Sequence, residues 1–195
     1  KSRIIQIRMM MAMKLANKLP IMFGKMAMMK AMKMEGQKVM TDFSSDLIRF
    51  VKESNAIEGI NREPTQGELE ATLRFIERRP DELSVSGLEL LVHAYQSDAR
   101  LRNKVGLDVR VGKHIAISGS HWVEVKLRCI LQDAAMEWKF PWEIHCDYEQ
   151  LHPFTDGNGR SGRALWLWMM NQKIGRIPEL SFLHLFYYQT LENSR

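Results

Sequence analysis

Seven apolar residues in a row, Ala164-Leu165-Trp166-Leu167-Trp168-Met169-Met170, follow a polar stretch that ends in Arg163. A helix that is apolar on every face must be buried on every face. The run therefore calls for a fold in which one central helix is wrapped by others. The residues just before it are equally specific. His152-Pro153-Phe154-Thr155-Asp156-Gly157-Asn158-Gly159-Arg160-Ser161-Gly162-Arg163 holds an imidazole, a carboxylate, two glycines around an asparagine and two arginines in twelve residues. We read a loop over 153–158 that feeds the buried helix from about Gly159.

A Gly-rich turn opening a helix leaves backbone N–H groups without intrahelical acceptors. With the helix dipole they form an anion site. Arg160 and Arg163 are three apart, so they are expected to share a face in the first turn. Two cations there oppose the dipole, at a cost of about 0.3–1 kcal/mol each. A bound polyphosphate would offset that cost. Asp156 is a hard oxygen ligand of the kind that holds Mg²⁺ together with phosphate oxygens. His152, on the other side of the loop, can act as a base near neutral pH. A base, a metal carboxylate and a phosphate cradle together point to chemistry on a nucleotide phosphate.

This stretch also resembles the signature of the Fic family, H-x-F-x-[D/E]-G-N-G-R-x-x-R, at every fixed position. The resemblance extends over about residues 45–190. It implies a mainly α-helical bundle with one short β-hairpin, and an enzyme that transfers AMP from ATP to a Ser, Thr or Tyr hydroxyl of a target protein. Carried onto this chain, His152 would deprotonate the hydroxyl and Asp156 would hold Mg²⁺. The backbone N–H groups of Gly157, Asn158 and Gly159 would cradle the phosphates. Arg160 would help hold them, Arg163 would take the γ-phosphate, and Phe154 would anchor the loop.

Composition fits such a chain. Hydrophobic content of 45% and charged content of 26% describe a soluble globular protein, long enough at 195 residues for a real core. The net charge of +5 raises the question of nucleic acid. Five of the lysines fall between residues 14 and 33, however, and no basic stripe interleaved with aromatics stands out. We read no nucleic-acid binding. Cys129 and Cys146 lack metal spacing, and are expected to be free, reduced and buried, as in a cytoplasmic protein.

Taken in order, residues 1–40 form a Met- and Lys-rich extension, with no apolar run near the about 20 residues that cross a membrane. Residues 41–195 are expected to be the Fic domain. Its first helix, about 46–58, is capped by Asp46 or Ser45 and carries Leu47, Phe50, Val51, Ser54 and Ile57 on one face. Ser54-Asn55-Ala56-Ile57-Glu58-Gly59 resembles the inhibitory motif of Fic proteins, [S/T]-x-x-x-E-[G/N], which makes Ser54 and Glu58 the expected inhibitory residues. A second helix runs from Gln66, capped by Thr65, to about Arg79. A third runs from about Ser86 to Asp98, with His93 read as a satisfied core residue beside Leu90, Leu91 and Ala94.

Alternation over Val109, Val111, Ile115 and Ile117, with Gly112 between, reads as a hairpin turning near Gly112-Lys113-His114. The resemblance makes it the flap, with Val111, Gly112, Lys113, His114 and Ile115 docking a target segment by strand addition. Two helices follow, at about 122–138 and 141–151. Trp122, Leu127, Ile130, Leu131 and Ala134 give the first a core face, and the second delivers His152. A last helix is expected from Glu179 to Glu192.

The function this implies is a protein adenylyltransferase inhibited by Glu58, with Mg²⁺ as cofactor and ATP as substrate. Its partner is a protein hydroxyl, with self-modification and oligomer formation left open. Gly159 favours nucleotide transfer over the phosphorylation of the Doc branch, whose signature differs at that glycine. Removal of AMP by the same site, and a non-catalytic nucleotide-binding regulator, remain as alternatives. His152 argues against the regulator, since binding alone needs no base.

Overall fold

The computed structural model describes residues 43–111 and 114–178. The Met-rich extension, the flap residues Gly112 and Lys113, and the helix expected from Glu179 to Glu192 lie outside the described residues. Within them the fold is mainly α, as expected. Its helices are α1 (Ser45–Ile57), α2 (Gln66–Ile76), α3 (Val85–Tyr95), α4 (His121–Ala135), α5 (Pro141–Leu151) and α6 (Asn158–Ile174). A short 3-10 turn, Pro80–Glu82, joins α2 to α3. Strands β1 (Arg110–Val111) and β2 (His114–Ile115) pair antiparallel, with Arg110 opposite Ile115 and Val111 opposite His114.

The apolar run sits in α6, which packs against α5, α2, α3 and α1. Ala164, Leu165, Leu167, Trp168 and Met169 are all buried. The Trp168 indole N–H donates to the Arg78 carbonyl at 2.8 Å, so the one polar atom of that side chain is satisfied. Gly162 lets α6 approach α5 closely. A Cβ built there would lie 2.6 Å from Glu149 Oε1 and 2.8 Å from Tyr148 Cδ1. Beside it, the Tyr148 and Ser161 hydroxyls bond at 2.7 Å.

Local chemistry sets the helix ends, and several differ from expectation. Ser44, rather than Asp46 or Ser45, caps α1, its Oγ accepting from Leu47 N–H at 3.2 Å. Thr65 and Glu68 form a reciprocal capping box at α2. That helix stops at Ile76 rather than Arg79. Pro80 holds Arg79 extended (φ −72°, ψ 159°), and Glu77 caps the helix, its N–H still donating to the Leu73 carbonyl at 3.1 Å. Ser84 starts α3 one residue earlier than expected, and extended Gln96 ends it at Tyr95.

The core face of α3 is Val85, Leu88, Leu91, Val92 and Tyr95. Leu90 and His93 are exposed instead. His93 Nε2 bonds the Ala99 carbonyl at 3.0 Å, so it is satisfied, but not in the core. On α4 the apolar stripe begins at Val123, and Trp122 is exposed. Neither cysteine is in the core: Cys129 is exposed and Cys146 half-buried, and neither is in a disulfide. Cys146 and Trp142 pack against Ile57, which seats the C-terminal end of α1 on α5.

Candidate active site

His152 closes α5. It adopts left-handed backbone angles, φ 48° and ψ 64°, a conformation usually left to glycine at a helix C-terminus. Its N–H donates to the Tyr148 carbonyl at 2.9 Å. The ring Nδ1 lies 3.4 Å from the Glu149 carbonyl and 3.9 Å from the Glu149 carboxylate. With the proton on Nδ1 and directed at Glu149, Nε2 carries the lone pair. That is the form a general base needs.

The loop beyond is strapped down. Phe154 is buried in the core. Its N–H donates to Asn158 Oδ1 and its carbonyl accepts from Asn158 Nδ2, both at 2.8 Å. The Asn158 side chain is thus committed to the loop, and only its backbone N–H is available to a ligand. Leu101 forms an antiparallel bridge with Phe154. Thr155 N–H donates to the Arg100 carbonyl and Arg100 N–H donates to Thr155 Oγ1, each at 2.9 Å.

Gly157, at φ 74°, turns the chain into α6. Only a residue without a side chain takes that angle without strain. The first N–H groups of α6 then point out of the helix with no intrahelical acceptor. Asp156 is exposed beside them, its Oδ1 accepting from Gly157 N–H at 2.6 Å.

The two arginines do not share a face. Arg160 is buried toward α3, donating from Nη1 to the Tyr95 carbonyl at 3.0 Å, with Cζ 5.3 Å from the Tyr95 ring centre. There it serves the C-terminal end of α3, where a cation is favoured. Arg163 turns the other way, to α1. It donates from Nε to Ser54 Oγ at 2.9 Å, and from Nη2 to the Ser54 carbonyl at 2.9 Å and Glu58 Oε1 at 2.7 Å. Its side chain is 3% exposed and that of Glu58 31%. The Glu58 carboxylate lies against the first turn of α6. A Cβ built at Gly159 would overlap Glu58 Oε1 and lie 3.0 Å from Arg163 Nη1. An acidic group of the chain itself therefore stands where the helix N-terminus would attract an anion.

His145 lies beneath this cluster, fully buried. Its imidazole pKa is pushed down to about 3, chiefly by loss of solvent and further by the charge of Arg163, with a Gly162 backbone hydrogen bond pulling the other way. At the hairpin, the His114 Nε2–H donates to the Gln150 carbonyl at 2.9 Å, tying β2 to the last turn of α5. Ile115 is 71% exposed at the hairpin edge.

Three residues of this region escaped the sequence reading: Arg102, Glu149 and His145. Arg102 is fully buried and donates to the carbonyls of Leu151, His152, Leu107 and Ile117. A burial signal comes from apolar periodicity, which an isolated arginine in a short extended segment lacks. Glu149 and His145 lie on α5, and nothing in the sequence marks their side as facing the base or Arg163.

The described residues thus define a mainly α protein in which a histidine-bearing loop opens onto the N-terminus of a buried helix. No group of three or more His, Cys, Asp or Glu side chains that could cage a metal occurs among the described residues. The one exposed carboxylate of the loop, beside an anion site, instead suits an ion shared with phosphate oxygens. No described helix is long and apolar enough to cross a membrane. The family model described as "Fic/DOC family" matches residues 54–170, from Ser54 to the end of the apolar run. The chain belongs to the Fic/DOC family. Among curated proteins, none matches it.

Proposed function

We propose that this chain is a protein adenylyltransferase that transfers AMP from ATP to a protein hydroxyl and is held silent by Glu58. The observation that carries the reading is a convergence. The His152 ring, the Asp156 carboxylate and the outward N–H groups of α6 border one loop, while Arg163 is engaged by Ser54 and Glu58.

In this reading His152 Nε2 takes the proton of the target hydroxyl. The freed oxygen attacks the α-phosphorus of ATP, and the bond from that phosphorus to the bridging oxygen of the β-phosphate breaks. Pyrophosphate leaves and AMP stays on the target. The N–H groups of Asn158 and Gly159 face the charge that builds on the phosphates, a preorganised electrostatic contribution. Asp156 would hold Mg²⁺, which when bound neutralises phosphate charge. Arg160, which donates from Nη1 to the Tyr95 carbonyl, would help hold the phosphates from the first turn of α6. The exposed edge at Ile115 would receive the target as an added strand.

Glu58 inhibits by occupying what the γ-phosphate needs, since it takes both the Arg163 guanidinium and the space over Gly159. The test is intact mass of the Glu58→Gly protein after incubation with ATP and Mg²⁺. A gain of one AMP is expected, and His152→Ala in the same background should lose it while still binding ATP. General-base catalysis contributes about 10²–10⁴-fold, so the loss should be near complete. A gain of one phosphate instead, or ATP binding with no covalent gain, would overturn the proposal.

A further inference from the structure

A histidine in the left-handed region at the end of a helix needs something to hold it there. The last turn of α5 carries no basic residue of its own to meet its terminal carbonyls. Arg102 meets them from elsewhere in the chain. Its Nε donates to the His152 carbonyl at 2.7 Å and its Nη2 to the Leu151 carbonyl at 2.8 Å. A cation at the C-terminal end of a helix also complements the dipole. The backbone of Arg102 joins in, with its N–H donating to the Pro153 carbonyl at 2.9 Å. Three successive carbonyls, 151 to 153, are therefore fixed by one residue.

The other half of the same guanidinium points at the hairpin. Nη1 donates to the Leu107 carbonyl at 3.1 Å and the Ile117 carbonyl at 2.8 Å, one on each stem. Arg102 also accepts, its carbonyl bonding Ser120 N–H at 2.9 Å where the second stem enters α4. Asp108 closes the stems by accepting from Gly119 N–H at 2.8 Å. Burial lowers the Arg102 pKa from its ordinary value, and the nearby charge of Asp108 offsets part of that cost. A planar guanidinium with its donors in a rigid fork can span four carbonyls on two elements, and an ammonium on a flexible stem cannot.

We propose that Arg102 is a positioning residue that sets the His152 backbone, and with it the imidazole, and couples that setting to the stems of the hairpin. The inference rests on the reading of His152 as the base. It adds a residue outside the signature, and a link between the hairpin stems and the base.

The test uses the full chain in the Glu58→Gly background, with Arg102→Lys and Asp108→Ala as variants. Two quantities are read. One is the His152 ring Cε1–Hε1 NMR signal, assigned by its loss in His152→Ala. The other is self-modification, resolved into kcat and KM for ATP. With far-UV circular dichroism unchanged, Arg102→Lys should move the His152 signal. A base displaced by about 1 Å can cost on the order of 10²-fold, so kcat should fall by about 10- to 100-fold with KM nearly constant. Asp108 is exposed, and its replacement leaves the core intact. Asp108→Ala should move the same signal in the same direction by less. If Arg102→Lys does not fold, Asp108→Ala decides alone. A His152 signal at its unaltered position in a folded Arg102→Lys, or in Asp108→Ala, overturns the proposal. No transfer in Glu58→Gly itself, with the signal still moved by Arg102→Lys, would instead sink the adenylyltransferase reading and leave the positioning role standing.

Discussion

His145 shows how one residue under the site carries a measurable consequence. Its folded-state pKa is about 3, depressed by desolvation and by Arg163, against an ordinary value of about 6.5. Between those values the unfolded chain binds a proton that the folded chain does not. Stability therefore rises with pH through this window and levels off above about 6.5. The slope from this one group approaches about 1.4 kcal/mol per pH unit. Urea unfolding at pH 6.5 and 4.5 measures it. The His145→Gln protein should lose most of that slope, and an unchanged slope would show that other groups carry the acid sensitivity. Burial is the main reason that the imidazole stays neutral, and the neighbouring Arg163 adds to it. A second cation there would face a guanidinium that is itself 3% exposed.

At the scale of elements, the contact between α5 and α6 determines where the loop mouth sits. Gly162 leaves no room for a methyl group against Tyr148, which is itself buried and bonded to Ser161. Overpacking of this kind costs about 1–3 kcal/mol. Gly162→Ala should therefore lower the urea midpoint measurably. An unaltered midpoint would mean that the two helices part without cost.

The same scale shows what the chain made legible. Seven apolar residues in sequence could only be a buried helix, and α6 is one. The capping residue Thr65 and the hairpin were also readable, because turns and caps are written in adjacent residues. Side-chain direction was not. Arg160 and Arg163 are three apart, yet one serves α3 and the other α1, because a rotation of about 60° between them is enough to face different neighbours. Trp122 and Leu90 were placed in the core by their chemistry and lie at the surface. Each sits just off the stripe that Val123 or Leu91 occupies, and only the packed neighbours decide which side is covered. Arg102 depends on four carbonyls, three of them distant in sequence, which no local pattern records.

At the scale of the whole molecule, α1 lies across the first turn of α6, with Ile57 seated on Trp142 and Cys146 and with Ser54 and Glu58 on Arg163. Breaking a fully buried ion pair from one side costs about 3–5 kcal/mol. Glu58 is 31% exposed, so its share is smaller, and the two Ser54 contacts still hold Arg163 when Glu58 is removed. The fold should survive the loss of Glu58 and the site should open. The most direct measurement is AMP incorporation, by intact mass under matched ATP and Mg²⁺, into the wild type, Glu58→Gly, and Glu58→Gly combined with Arg163→Ala. The account predicts almost none in the wild type, a strong gain in Glu58→Gly, and loss of that gain in the double variant. Equal incorporation by wild type and Glu58→Gly would contradict it.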